Sequence, residues 1–159
     1  MTTQARTRRS ALWLLSIAAI VLGGCSSTSQ PSFEIADATA TARTDDGLAL
    51  LFTIDAANQN PDAMPLRIVR YDLRLNGRRV FSGLRSPEAT IPPFGTQRFT
   101  LPAVIPADRV PQDATSAEYE LSGTVTYIEP GRLYEILFEQ DLRVPKASIN
   151  GAGTIRFDD

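Results

Sequence analysis

From residue 33 onward, apolar and polar side chains alternate with a period of two, in short runs separated by turn-forming residues. Such alternation marks half-buried antiparallel strands. Phe33 and Ile35 define a first strand over 33–40, which Asp45-Asp46-Gly47 turns. In 48–57, Leu50, Phe52, Ile54 and Ala56 share one face, and Thr53 and Asp55 the other. The segment 58–62 ends that strand, because Pro61 lacks an amide donor and biases Asn60 to an extended or turn conformation. A long strand follows over 65–75, but its phase slips: Leu66 and Ile68 lie on one parity, and Val69, Tyr71, Leu73 and Leu75 on the other. A β-bulge near Ile68-Val69, or a strand that crosses between sheets, reconciles the two parities. Asn76-Gly77 then predicts a two-residue type I′ hairpin turn, which needs positive φ at both positions, with the return strand over 78–84.

Residues 85–96 are rich in loop formers, and Ile91-Pro92-Pro93-Phe94-Gly95 rules out a helix there. Phe99, Leu101 and Ala103 predict a strand over 97–105, with Pro102 marking an edge or a strand end. At most one short helical turn fits near 107–117, confined by Pro106 and Pro111. Tyr119, Leu121, Val125 and Tyr127 share a strand face. After the turn Glu129-Pro130-Gly131-Arg132, Tyr134, Ile136, Phe138, Leu142 and Val144 alternate against Glu135, Glu139, Asp141 and Arg143, the clearest strand pattern in the chain. The segment 146–159 is expected as a tail or small hairpin. About seven short strands with regular turn signals predict an all-β fold, an antiparallel immunoglobulin- or fibronectin-like β-sandwich over 33–145.

Ahead of this domain the pattern changes. Arg6, Arg8 and Arg9 precede an apolar run over 11–22, which is shorter than the roughly 20 residues a membrane span requires. That layout reads as an export signal over 1–24. Leu22-Gly23-Gly24-Cys25 resembles the bacterial lipobox, which implies cleavage between Gly24 and Cys25 and acylation of the Cys25 thiol. The bland reading is an ordinary signal peptide, or an uncut anchor, with a coincidental Cys. Thr7-Arg8-Arg9-Ser10 also resembles a twin-arginine signal, although Ala11-Leu12-Trp13 departs from that pattern. Ser26, rather than Asp, after the Cys implies by the same resemblance transfer to an outer membrane, with the domain facing the periplasm. Residues 25–32 are expected as the lipidated Cys and a flexible linker.

Composition narrows the chemistry. The chain has no His and one Cys, so the commonest general base, the usual zinc and copper ligand sets and any intrachain disulfide are excluded. Without Arg6, Arg8 and Arg9, 13 basic residues face 18 acidic ones, a net −5. That balance argues against nucleic acid as a partner.

Asn60-Pro61 after a strand, Pro65-Leu66, Tyr71-Asp72-Leu73, Leu75-Asn76-Gly77, Val80, Gly83, Ile91-Pro92-Pro93-Phe94-Gly95 and the strand through Phe99 and Leu101 together resemble the type 2 late-embryogenesis-abundant family, or WHy (water stress and hypersensitive response) domain. The resemblance spans 33–144, departing in its low helix potential between Ile105 and Tyr119. It implies a β-sandwich without catalytic residues or cofactor, associated with desiccation stress and protection of other macromolecules. Asn60, Pro61, Asn76 and Gly77 are its structural motif positions.

Three constellations carry alternative chemistry. Asp55, Asn58, Asn60 and Asp62 gather oxygen-bearing side chains suited to a hard cation, but they lack EF-hand spacing, and Asn and Asp serve turns by local backbone hydrogen bonding. No metal is expected there. Glu139 and Asp141, on one strand face, form a carboxylate pair of the kind that cleaves glycosides, or a solvated sheet face. Arg70, Arg74, Arg78 and Arg79 make either a basic stripe for anionic surfaces or cross-strand partners for Asp72 and Asp141. The expected function is a non-enzymatic, lipid-anchored envelope protein that binds or shields protein clients, with an edge strand as one contact surface. A structural or adaptor subunit of an envelope complex is the alternative, and a carboxylate hydrolase the remote one.

Overall fold

The structure is a computed structural model and describes residues 28–111, 115–129, 139–140 and 144–157. The segment 1–24 expected as an export signal, with Gly24 at its end, and Cys25 lie outside the described residues, as do Glu135, Asp141 and Arg143.

The chain forms β1 (Ser32–Thr44), β2 (Gly47–Ala57), β3 (Met64–Leu75), β4 (Arg78–Arg85), β5 (Thr90–Ile91), β6 (Thr96–Pro106), β7 (Ser116–Tyr127) and β8 (Lys146–Arg156). The period-two runs become these strands because each buries alternate side chains. In β2, Leu48, Leu50, Phe52, Ile54 and Ala56 are buried while the intervening positions are half-buried. A 3-10 turn, Ala107–Arg109, lies at the start of the stretch 107–117, where at most one helical turn fitted.

Two antiparallel sheets make the sandwich. One runs β1-β2-β6, and the other β4-β3-β7-β8 with the short β5 paired to the start of β3. Their inner faces meet in one core, where the Phe52 ring of the first sheet meets Tyr119 of the second edge-on at 5.4 Å.

The phase slip in β3 is a bulge. Leu66 pairs with Tyr127 and Ile68 with Thr126, so Arg67 is the extra residue and both Arg67 and Ile68 face outward before burial resumes at Val69. Thr126 completes the bulge: its Oγ1 accepts from the Ile68 N–H at 3.0 Å and donates to the Ile68 carbonyl at 3.2 Å. Leu75 pairs with Arg78 across Asn76 (φ 47°) and Gly77 (φ 78°), the two-residue turn expected for Asn-Gly. Pro102 lies on β6, an edge strand, and its carbonyl accepts the Tyr71 hydroxyl from the opposite sheet. The N–H and C=O of one strand residue point the same way, so the donor that Pro102 lacks would have faced the open edge and not β2.

Three expectations change. The segment 146–159, expected as a tail or small hairpin, supplies β8, which pairs with β7 from Ser116↔Arg156 to Thr126↔Lys146 and buries Ala147, Ile149, Ile155 and Phe157. Of the strand expected over 134–144, the described residues are Glu139, Gln140 and Val144. Glu139 has a helical backbone and Gln140 lies in a turn. Both are exposed, and two consecutive exposed side chains break the alternation a half-buried strand requires. Finally, the linker does not run free to Ser32: Pro31 is buried, and Ser29 and Gln30 are hydrogen-bonded to the domain.

Candidate functional site

One end of the sandwich gathers the start of β1, β3 and β6, the end of β2 and β7, and the segment leading into the domain. Its centre is the pair Asn58 and Asn60, which are 3% and 5% exposed and are the buried polar side chains among the described residues. A buried amide is costly unless its donors and acceptor are engaged. Here they are. Asn58 Nδ2 donates to the carbonyls of Asp62 (2.7 Å) and Pro92 (3.1 Å), while its Oδ1 accepts from the Asn60 N–H (2.9 Å) and from Asn60 Nδ2 (2.8 Å). The bond to the N–H two residues on is an Asx-type turn, the local use of Asn that the sequence favoured over metal binding.

Asn60 extends the network outward. Its Nδ2 also donates to the Ser29 carbonyl at 2.8 Å, and its Oδ1 accepts from the Ser29 N–H at 2.7 Å, so one amide holds both backbone groups of Ser29. Its own carbonyl accepts from the Phe94 N–H at 3.0 Å, and the Asn58 N–H donates to the Gly95 carbonyl at 2.9 Å. The turn Pro92-Pro93-Phe94-Gly95 is therefore clamped on both flanks. Phe94 sits at its tip with φ 47° and is 72% exposed.

The four candidate cation ligands do not converge. Asp55 is engaged by Arg98 through paired bonds of 2.7 and 2.8 Å, and the hydrogen bond from that guanidinium holds the Asp55 carboxyl below its usual range despite partial desolvation. The Asn58 and Asn60 oxygens face backbone N–H groups, and Asp62 is exposed. No group of three or more His, Cys, Asp or Glu residues among the described residues is placed to hold a metal ion. Two shallow depressions of about 250 and 340 Å³ lie toward the far end, one beside Arg43, Asp45 and Val110, the other beside Gly77, Glu118 and Thr154.

Arg70, Arg74, Arg78 and Arg79 are all exposed on β3 and β4. Asp72 lies 3.9 Å from Arg79, and Arg74 is opposite Glu120 in register, so the set is interleaved with acids and does not form a uniform stripe. Asn76 and Gly77 lie at the far end, where Asn76 Oδ1 accepts from the Glu118 N–H at 3.0 Å and the Asn76 N–H donates to the Glu118 carbonyl at 2.9 Å. Sequence reasoning marked Asn60 and Pro61 but missed the burial of both asparagines and the exposure of Phe94. The paired spacing Asn58-x-Asn60 ahead of a proline was the available signal for the first; nothing local marked the second.

The sandwich resembles several solved structures. The solution structure of AT1g01470 from Arabidopsis thaliana matches with a TM-score of 0.63 at 15% identity, covering 82% of this chain and 83% of that one. A putative late embryogenesis abundant protein, At2g46140.1, matches with a TM-score of 0.61 at 16% identity, covering 91% and 76%. A protein from Archaeoglobus fulgidus matches with a TM-score of 0.52 at 12% identity, covering 82% and 97%. These likenesses speak to the fold. No curated protein matches the chain in sequence. The family model described as late embryogenesis abundant protein matches residues 53–146, which include the Asn58–Asn60 network, the Asn-Gly hairpin and the Phe94 turn. The chain therefore belongs to the type 2 late-embryogenesis-abundant family.

Proposed function

We propose that the protein is a non-enzymatic, lipid-anchored envelope module that shields other macromolecules during water stress. Membership of the late-embryogenesis-abundant family over residues 53–146 is the observation that carries this reading. The anchoring half rests on the lipobox-like Leu22-Gly23-Gly24-Cys25. Two or more acyl chains on Cys25, each CH₂ contributing about 0.8 kcal/mol, hold a protein stably at a bilayer. The domain then faces the periplasm from the outer membrane.

Shielding works through the sheet faces. The two edge strands of the smaller sheet are poor templates for added chains: β6 turns Pro102 to its open side, and β1 shifts register against β2 twice, at Ile35/Asp37 and Ala40/Ala42. The outer face of the larger sheet carries Arg70, Asp72 and Arg74 on β3 beside Ser122 and Thr124 on β7, a hydrated surface of mixed charge.

The test is protection of a labile client enzyme through drying and rehydration by the full lipidated protein in vesicles. Client activity above that retained with an equal mass of inert protein supports the reading. No protection, together with capture of one stoichiometric envelope partner, replaces it with the adaptor reading. Cys25→Ser is expected to release a folded domain into the soluble fraction; continued membrane association would show that another element holds it.

A further inference from the structure

We infer that Phe94 is a membrane-contact residue, seating its ring in the interfacial layer of the bilayer to which the chain is anchored. This rests on the acylation of Cys25 proposed above. The juxtaposition is made by one residue. Asn60 holds Ser29 through its side-chain amide and Phe94 through its backbone carbonyl, so the point where the chain enters the domain and the tip of the Pro92–Gly95 turn are fixed side by side. Cys25 precedes Ser29 by four residues, a span of at most about 14 Å even when fully extended. Acyl chains on Cys25 thus bring this end of the sandwich, and no other, against the lipid.

Phe94 has the character such a contact requires. It is the most exposed large apolar side chain among the described residues, at 72%, and so contributes little to the core. Its left-handed backbone is disfavoured for a bulky side chain and persists because the surrounding bonds impose it. Pro92 and Pro93 stiffen the turn, so the ring is presented with little backbone ordering cost at contact. Aromatic rings suit the boundary between headgroups and acyl chains. A single ring is too weak to recruit a soluble protein, but a short tether makes its insertion intramolecular and raises its effective concentration. The consequence is orientation: the Asn-Pro end lies on the bilayer, and the Asn76-Gly77 and Asp45-Asp46 turns point away from it.

The test uses the mature lipidated protein, from which cleavage between Gly24 and Cys25 removes Trp13, so that an introduced tryptophan is the sole one, with Phe94→Trp compared against Val104→Trp, an exposed position on β6. Each is reconstituted into phosphatidylethanolamine and phosphatidylglycerol vesicles with and without brominated acyl chains. Phe94→Trp is expected to shift its emission to the blue on reconstitution and to lose intensity with brominated lipid, while Val104→Trp does neither. Equal behaviour of the two, with Cys25 acylated by mass spectrometry, overturns the contact and leaves the anchor standing. A blue shift that depends on protein density and not on bromination means the ring meets a second copy, and also overturns it. An unmodified Cys25 overturns the anchor, and the contact with it.

Discussion

Asn58 satisfies two carbonyls and two N–H groups with a single amide, so its removal leaves several buried polar atoms unpaired at once. Asn58→Ala is expected to cost about 2–4 kcal/mol, each stranded buried group accounting for roughly 1–3 kcal/mol less relaxation. Asn58→Asp should cost at least as much, because it replaces the donor that faces Asp62 and Pro92 carbonyls with a second acceptor. Urea denaturation of both variants measures this; a near-neutral Asn58→Asp would mean the network is wet. Tyr71 offers a pH test. Burial raises its hydroxyl pKa, so the folded state keeps a proton that the unfolded state releases. Stability is thus intact below the ordinary tyrosine value of about 10 and falls as pH rises through the folded value. Tyr71→Phe is expected to lose about 1 kcal/mol at neutral pH through the missing bond to Pro102, and to decline less steeply in alkali, where Tyr119, its hydroxyl pKa also raised by burial, contributes a slope of the same sign. At this scale the sequence was legible where the partner was local. The Asn76-Gly77 turn is decided by two adjacent residues; the burial of Asn58 and Asn60 is decided by Ser29, Pro92 and Gly95, distant in the chain and invisible to periodicity.

Among the elements, the interrupted parity of β3 proved the most informative pattern, because a bulge moves side chains from one face to the other and leaves that record in the order of apolar residues. The place of β8 was hidden for the opposite reason. Its run Lys146–Arg156 contains Gly151, Ala152 and Gly153, residues that read as a frayed tail, yet Gly151 lies tight against β1: a Cβ there would lie 2.4 Å from Ile35 Cδ1. Small residues in that strand reflect packing, not disorder. Gly123 in β7 is the stricter case, since a Cβ would lie 2.7 Å from the Arg70 carbonyl oxygen, which is backbone and cannot swing aside. Gly123→Ala is expected to force β3 and β7 apart and to cost about 1–3 kcal/mol, whereas Gly151→Ala needs only a rotation of Ile35. Thermal unfolding of the two variants should rank them in that order. An equal effect would refute the backbone clash.

For the molecule as a whole, closure comes from both sides. β1 packs along β8, with Arg43 stacked 5.6 Å over the Phe157 ring, while Tyr71 of the larger sheet bonds to β6 of the smaller. The C-terminal strand is therefore part of the minimum fold. A chain ending at Val144 loses Ile149, Ile155 and Phe157 from the core, at about 1.5–3 kcal/mol each, a sum comparable with the roughly 5–15 kcal/mol that holds a typical domain together. Such a chain is expected to show no cooperative urea transition; a sharp one would mean that β8 is dispensable. The docking of Ser29 on Asn60 also has a mechanical meaning. β1 starts at this end of the sandwich and pairs with β2 along its length, from Ser32↔Ala57 to Thr44↔Gly47. A pull on the chain ahead of Ser32 first meets the two Asn60 bonds to Ser29, and then runs parallel to the strand axis. It loads the β1–β2 ladder in shear, straining its bonds together instead of peeling them one by one, so tension on the entering chain is borne by the ladder as a whole.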